Sequence, residues 1–578
     1  MPSGVITCEQ LRASEIGRGI LAAGGNAVDA IIATTLAVHT LSPYHSDLGG
    51  GGFALIRKPD GTYDGLDFRQ SAPLAANANK LKDFKQSDAV AVLVPGVVKG
   101  LEDLHKKYGK LPWKRLFKEC IALAEDGFEM KQDLYRYTAN LCGDPNNQDT
   151  PDRTNRRGSD IEHDRSYDWL FDRTDEILPP TSIVRRTEYA KTLREIADHG
   201  SAAFYEGPMA EATVKVVQDR GGILTMDDMA RYKTSWVKPM KGDYQGKALW
   251  SLPAPAGGSI WIYALQILSH MEISGHRSLN DYHRLIEALK LAYPGRDGLG
   301  DPDFIEGLDE MQQKFIQAAY SKERSSLLDE SKTSEAEYYQ TSTIHRKRNG
   351  EDHGTSPLCA ADGSGLIVCL TSTVGQCYGS HIIVPGYGFV MNDTLSDFAI
   401  KGDCDCGEDG PCSANYIGGG RRPLSSCCPY IVEDNNGRVL LAGAGAGGST
   451  IISGNVQVVK NVLNYGLSAF EAVRSSRLHN QASPESTKLE KASNHQGVKI
   501  DGFANDIVQA LRSRGHKIEM VPQSESTVVA IKFTYDTGSV NWEPAADTRK
   551  ENSGSVVFYH FSDGNEAEET HPLGQAEG

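Results

Sequence analysis

The sequence predicts an α+β sandwich in which helices cover the faces of stacked sheets, and two observations carry that prediction. Amphipathic or wholly apolar helical patterns fill much of the chain up to about His345, whereas from Thr355 onward short alternating strands are separated by Gly-, Asp- and Asn-rich turns. No internal repeat is visible. The 578 residues exceed the size at which one core stops growing, roughly 250 to 300 residues, so two lobes or more are expected.

The helical part opens with "EQLRASEIGRGILAAGG", where Leu11, Ile16, Ile20 and Leu21 share one face and the closing glycines supply a stop. Ala27 to Leu41 is apolar nearly all round and predicts a buried helix. After "LGGGGF", the run Phe53 to Arg57, the Pro59-Asp60-Gly61 turn and Tyr63 to Phe68 predict a hairpin. Helical patterns then dominate from about Gly96 to His345, and within them "SLLDESKTSEAEYY", poor in apolar anchors, predicts an exposed linker. Strands are expected over Thr355–Ala361 and Leu366–Thr373 around Asp362-Gly363-Ser364-Gly365, and over Pro429–Val432 and Val439–Ala442 around Asn436-Gly437. A helix near Ile507–Arg514 and strands around Val528–Phe533 complete the order.

Lys plus Arg 60 against Asp plus Glu 76 leaves a formal charge of -16, which repels nucleic acid and acidic membrane surfaces and points to small molecules or peptides as partners. Hydrophobic content of 39%, 24% charged residues and a mean hydropathy of -0.40 describe a folded, water-soluble chain. The longest apolar runs fall short of the roughly 20 residues of a spanning helix, and "MPSGVITCEQ" has no leader pattern. The expectation is therefore a cytoplasmic protein, or a secreted one if a leader has been removed. Eleven cysteines are an odd number without a disulfide-framework spacing. Cys404, Cys406, Cys412, Cys427 and Cys428 cluster in sequence, yet no CxxC or His pair completes a zinc pattern, so free or locally bridged thiols are expected, with no metal and no cofactor.

Candidate chemistry starts at "HGTSPLCAADGSGLIVCLTST". If Gly363 to Gly365 form the loop, Thr355 faces Thr373 across the hairpin with Cβ atoms about 5 Å apart. A threonine becomes a nucleophile only beside a base, and one such base is its own α-amine, freed by cutting the preceding peptide bond. Gly354 suits that cut because glycine adopts the strained backbone that exposes a carbonyl. The plainer reading is an ordinary threonine at a strand start. In "GAGAGGSTIISGNVQ", the Gly447-Gly448 turn entering a helix offers backbone N–H groups to an anion, whether phosphate or the oxyanion of acyl transfer, or is simply a tight turn; it does not match GxxxxGK[ST]. Ser425 and Ser426 in "RRPLSSCCP" suit a carboxylate or a plain turn. Arg69 in "DFRQSAP" suits a bidentate clamp or a structural ion pair, and Asp397 in "NDTLSDF" suits an ammonium or a turn cap.

Taken together, these stretches resemble the γ-glutamyltransferase (γ-glutamyltranspeptidase) family of N-terminal nucleophile hydrolases. "ASEIGRGILAAGGNAVDAIIAT", "LGGGGF", "DFRQSAP", "HRLIEALKLAY" with "GDPDF", "LTST", "RRPLSS" and "GAGGS" recur in family order across nearly the whole chain. The resemblance implies a four-layer αββα sandwich and a proenzyme that cuts itself between Gly354 and Thr355 into a large chain, 1–354, and a small chain, 355–578, which stay associated as one unit. It implies Thr355 as nucleophile, Thr373 as its supporting hydroxyl, and Gly447 and Gly448 as the oxyanion hole. Arg69, Ser425 and Ser426 would hold the α-carboxylate of a γ-glutamyl group and Asp397 its α-amine. The implied reaction passes a γ-glutamyl group from glutathione or a glutathione conjugate to water, an amino acid or a peptide.

The departures bear on the donor. Gly375 stands where the family commonly has Asn, Thr394 where it has Glu or Gln, and Thr355-Ser356-Pro357 replaces its usual Thr-Thr-His or Thr-Ala-His opening. Two further readings follow from them: an amidase of the glutaryl or cephalosporin-acylase type, which does without the amine pocket, and an uncleaved homologue serving as a binding or scaffold protein.

Overall fold

The computed structural model describes residues 3–77, 89–143, 159, 161–339, 353–399, 411–495, 497–522, 526–536, 539–560 and 566–572. An eight-stranded sheet runs in the order Glu566–Pro572, Gly554–His560, Gly4–Cys8, His353–Asp362, Ile367–Gln376, Gly51–Arg57, Tyr63–Phe68, Ser235–Val237, with every neighbour antiparallel. A six-stranded antiparallel sheet runs Ser539–Ala546, Thr527–Asp536, Val439–Ala446, Tyr430–Glu433, Lys247–Ser251, Met240–Tyr244. Segments from before and after Gly354 are paired within both sheets. The Gly4–Cys8 strand, for instance, lies between His353–Asp362 and Gly554–His560.

The period-2 alternation of the central hairpin separates two cores. Leu358, Ala360, Val368 and Leu370 pack with helices Leu11–Ala22 and Ala27–Leu41, whereas Cys359, Ala361, Ile367 and Cys369 face the other sheet and join Tyr430, Leu441 and Ala442. Helices Gly258–Ser269, Leu279–Ala292 and Thr450–Tyr465 belong to this second core. Helix, sheet, sheet, helix is thus the layer order, the αββα sandwich expected.

Local sequence explains the elements nearest the site. Ala27–Leu41 is buried along its whole length, and its start is fixed by a capping box in which Asn26 accepts from the Asp29 N–H and Asp29 accepts from the Asn26 N–H. The Asp362–Gly365 loop closes with the Gly365 N–H donating to the Asp362 carbonyl at 3.0 Å, and Gly365 takes φ +88°, which an L side chain resists. This loop sets the register in which Ala361 faces Ile367 and Thr355 faces Thr373.

Several expectations are corrected. Strand Ser235–Val237 and the hairpin Met240–Tyr244/Lys247–Ser251 interrupt the region read as helical, because strands this short leave little periodicity. The acidic stretch is docked over part of its length: the Thr333 N–H donates to the Arg514 carbonyl at 2.8 Å, and buried Tyr339 donates to Glu287 at 2.5 Å. Thr355 does not start a strand but is its third residue, since pairing extends back to His353. Cys404 and Cys406 lie outside the described residues. Cys427 and Cys428 are buried free thiols.

Candidate active site

Thr355 and Thr373 meet as the register requires: the Thr355 hydroxyl donates to Thr373 Oγ1 at 3.2 Å. Thr373 in turn donates to the carbonyl oxygen of Gly354 and accepts from the Gly375 N–H at 3.0 Å. A hydroxyl therefore polarises the carbonyl whose carbon lies one bond from the Thr355 nitrogen. Polarisation of this kind favours attack at that carbon.

Behind the strand the opposite face is polar and closed. Ser356 donates to Glu9 and shares a 2.7 Å hydrogen bond with Ser46. Glu9 is bound to His45 Nδ1 at 2.7 Å, His45 Nε2 lies 3.1 Å from Lys550 Nζ, and Lys550 donates to Tyr137 at 2.5 Å. Burial pushes the Glu9 carboxyl up, but His45, Lys550 and Ser356 outweigh it and hold Glu9 below its ordinary range. These bonds hold the Thr355 strand from underneath.

The opposite wall comes from loops. Arg69 follows strand Tyr63–Phe68, is 1% exposed, and pairs with Asp397, which is 23% exposed. Its Nε donates to the Pro423 carbonyl at 3.2 Å. Asn415 ties the loops together, donating to the Asp397 carbonyl at 2.8 Å and accepting from the Leu424 N–H at 3.0 Å. Ser425 is held by its N–H on the Pro255 carbonyl at 2.7 Å. Burial raises the Cys427 thiol above its ordinary value, so this neighbour of Ser426 stays protonated and does not compete as a nucleophile.

Strand Val439–Ala446 leads into the Gly447-Gly448 turn, with φ +118° and +57°, and then into helix Thr450–Tyr465. The turn is fixed by the Thr450 hydroxyl on the Gly447 carbonyl at 2.7 Å.

One small cavity of about 30 Å³ joins most of these groups: Arg69, Thr355, Thr373, Gly375, Asp397, Ser425, Ser426 and Gly448 all line it. Gly447 does not, and Thr394 is buried with its hydroxyl spent on Asn392 Oδ1 at 2.9 Å, outside the lining. Sequence reasoning missed Arg296 and Gln376, which also face the cavity. Arg296 follows helix Leu279–Ala292 on a segment anchored by the Tyr293 hydroxyl donating to the Ser449 carbonyl at 2.7 Å. A larger cavity of about 540 Å³, between Asp164, Trp169, Arg185 and Tyr189, contains none of the candidate residues.

Among the described residues, His283, Glu287 and His516 cluster closely enough to hold a cation. Their atoms are already engaged: His283 Nδ1 and His516 Nε2 share a 2.7 Å hydrogen bond, and Glu287 accepts from Thr333 at 2.6 Å and Tyr339 at 2.5 Å. Lys290 Nζ donates to the same Thr333 hydroxyl at 2.7 Å. A satisfied network with a cation beside it fits a structural role.

Two antiparallel sheets stacked between helix layers, with a threonine pair at the edge of the inter-sheet core, define an α+β N-terminal nucleophile hydrolase fold. The chain belongs to the γ-glutamyltranspeptidase family, whose sequence profile matches residues 13–557. Similar relatives include a glutathione hydrolase proenzyme of Arthroderma benhamiae, 33% identical over 96% of this chain and 92% of its own. Glutathione hydrolase 3 of Arabidopsis thaliana is 33% identical over 89% and 79% of the two chains. Among solved structures, a cephalosporin acylase from Bacillus halodurans superposes with a TM-score of 0.80 at 24% identity over 96% and 95% of the chains, a likeness of fold. The γ-glutamyltranspeptidase of Helicobacter pylori gives 0.52 at 30% identity over 59% of this chain and 95% of its own.

Proposed function

We propose that this protein is a self-processing γ-glutamyl acyltransferase and hydrolase whose nucleophile is Thr355. The observation that carries the reading is the relay in which Thr355 donates to Thr373 and Thr373 donates to the Gly354 carbonyl. In processing, the Thr355 hydroxyl oxygen attacks the Gly354 carbonyl carbon while Thr373 stabilises the developing oxyanion. The C–N bond breaks as the hydroxyl proton passes to the Thr355 nitrogen, which becomes a free α-amine, and water then hydrolyses the ester to a Gly354 carboxylate and the Thr355 hydroxyl. The cut yields chains 1–354 and 355–578, which remain together because strands of each pair with strands of the other in both sheets.

In turnover, the freed amine takes the Thr355 hydroxyl proton as the oxygen attacks the γ-carbonyl of the donor. The amine passes that proton to the leaving nitrogen, and water or an amino acid later accepts the acyl group. Gly448, with Gly447, offers backbone N–H groups to the oxyanion. Arg69, Ser425 and Ser426 bind the α-carboxylate, and Asp397 the α-amine. In the cavity lining Arg69 and Asp397 pair with each other, so a zwitterionic donor end replaces that pair with one partner for each. The relatives' names support glutathione as donor, and a glutathione conjugate would present the same γ-glutamyl end.

One observation favours a second reading, a glutaryl amidase: Gly375 brings no side chain and the Thr394 hydroxyl is already engaged, so the amine has fewer partners. Amine release from γ-glutamyl and glutaryl anilides separates the two. Faster turnover of the glutaryl compound overturns the γ-glutamyl assignment. A denaturing gel with a single 62.9 kDa chain that Thr355→Ala leaves unchanged overturns self-processing.

A further inference from the structure

Strand Ile367–Gln376 carries a one-residue irregularity at the site itself. Up to Thr373 its partners follow one register, Thr373 facing Thr355; beyond it Gly375 faces Gly354 and Gln376 faces His353, leaving Val374 as the extra residue. The backbone groups of Val374 are satisfied off the ladder, its N–H donating to the His45 carbonyl at 3.3 Å and its carbonyl accepting from the Asp393 N–H at 3.0 Å. An extra residue reverses the alternation of side chains that follow it. Without it, Gln376 would fall on the Ser372 face, toward helix Ala27–Leu41; with it, Gln376 falls on the Thr373 face and lines the cavity with Thr355, Asp397 and Ser425.

The bulge is held in place. Asp393 Oδ1 accepts from the Gln376 N–H at 2.9 Å, and it lies 1.9 Å from where a Cβ on residue 375 would stand. Gly375, at φ +102°, is therefore required by the contact that orients Gln376. The other polar groups of the lining are unevenly distributed. Arg69, Arg296, Ser425 and Ser426 are all able to donate to a carboxylate, whereas Asp397 is the single carboxylate among the described lining residues and is already paired with Arg69. A substrate ammonium needs more than one acceptor when it leaves water.

Resting on the γ-glutamyl reading above, we propose that Gln376 is a specificity-determining binding residue whose side-chain carbonyl accepts a hydrogen bond from the α-ammonium of the donor. It lines the cavity with Asp397, from the strand paired with Thr355, and discriminates an α-amino donor from its deamino analogue.

The test compares γ-glutamyl and glutaryl p-nitroanilides, which differ only in the α-amine, on wild type, Gln376→Leu and Gln376→Glu, each checked for cleavage on a denaturing gel. Gln376→Leu is expected to raise KM for the γ-glutamyl anilide about 10-fold or more, with kcat within about two-fold and the glutaryl compound unaffected. Gln376→Glu, which keeps an acceptor, is expected to retain the preference. If Gln376→Leu leaves the ratio of the two kcat/KM values unchanged, or both variants lower it equally, the assignment fails while the γ-glutamyl reading stands. Wild type that turns over neither anilide overturns both. Should Gln376→Leu fold poorly, loss of the γ-glutamyl preference in Gln376→Glu overturns the assignment by itself.

Discussion

Thr355 and Thr373 lie directly opposite each other on neighbouring strands, 18 positions apart in sequence, and their hydroxyls are linked at 3.2 Å. Because Thr373 also donates to the Gly354 carbonyl, one side chain serves both the bond to be cut and the group that cuts it.

Replacing Thr373 by Val keeps the branched shape and removes the donor. Self-cleavage is expected to slow by roughly 100-fold, the scale of losing one oxyanion donor. Appearance of the two fragments on a timed denaturing gel measures it, and Thr373→Ser is expected to retain most of the rate. Equal rates for Thr373→Val and wild type would remove Thr373 from the processing step.

Arg69→Lys keeps the charge but loses the planar fork that reaches Asp397, Pro423 and Gln70 together. KM for a γ-glutamyl anilide is expected to rise about 10-fold or more. Arg69→Ala should raise it further and lower stability by roughly 3 kcal/mol, the scale of removing one partner from a buried pair. Steady-state kinetics and thermal unfolding read the two effects separately.

Gly375→Asn tests whether the residue common among relatives can be restored. A Cβ there meets Asp393 Oδ1 at 1.9 Å on a backbone at φ +102°, so the substitution is expected to destabilise by roughly 2 kcal/mol instead of improving binding. Gly466→Ala is the control: it has φ +68° with open space around it, and about 1 kcal/mol is expected. Denaturant midpoints compare the pair.

Three buried histidines predict acid sensitivity. Burial lowers His39 to about 3, helped by Arg186; it lowers His479 to about 4, and His516 to about 3 with help from His283 and Lys290. The unfolded rings titrate near 6.5, so below that pH the unfolded state binds more protons. Stability is full above about pH 6.5 and is lost as pH falls toward 4, by roughly 1 kcal/mol per pH unit for each ring. His39→Gln, which can still bond Ser372, is expected to flatten the slope. A pH series of denaturant midpoints gives that slope, and an unchanged slope would discount His39.

Much of this site could be read from the linear chain because its parts are locally encoded. The Asp362–Gly365 turn sets the hairpin register, the register sets Thr355 against Thr373, and the glycines before Thr450 mark a tight strand-to-helix turn. Arg296 and Gln376 escaped that reading for different reasons. Nothing local to "YPGRDG" says that it packs on the Ser449 turn, and the bulge that turns Gln376 inward depends on Asp393, 17 positions away.

By itself, then, the sequence carried the α+β class and, given the Gly363–Gly365 loop, the hairpin register, since apolar periodicity and turn chemistry act over a few residues; its resemblance to known motifs carried the family and the αββα order. Only the tertiary structure decided which polar groups share the cavity. Arg69 is paired with Asp397 and Thr394 is turned away to Asn392, because loops distant in sequence close on one another there and each buried polar atom takes the partner that comes within reach.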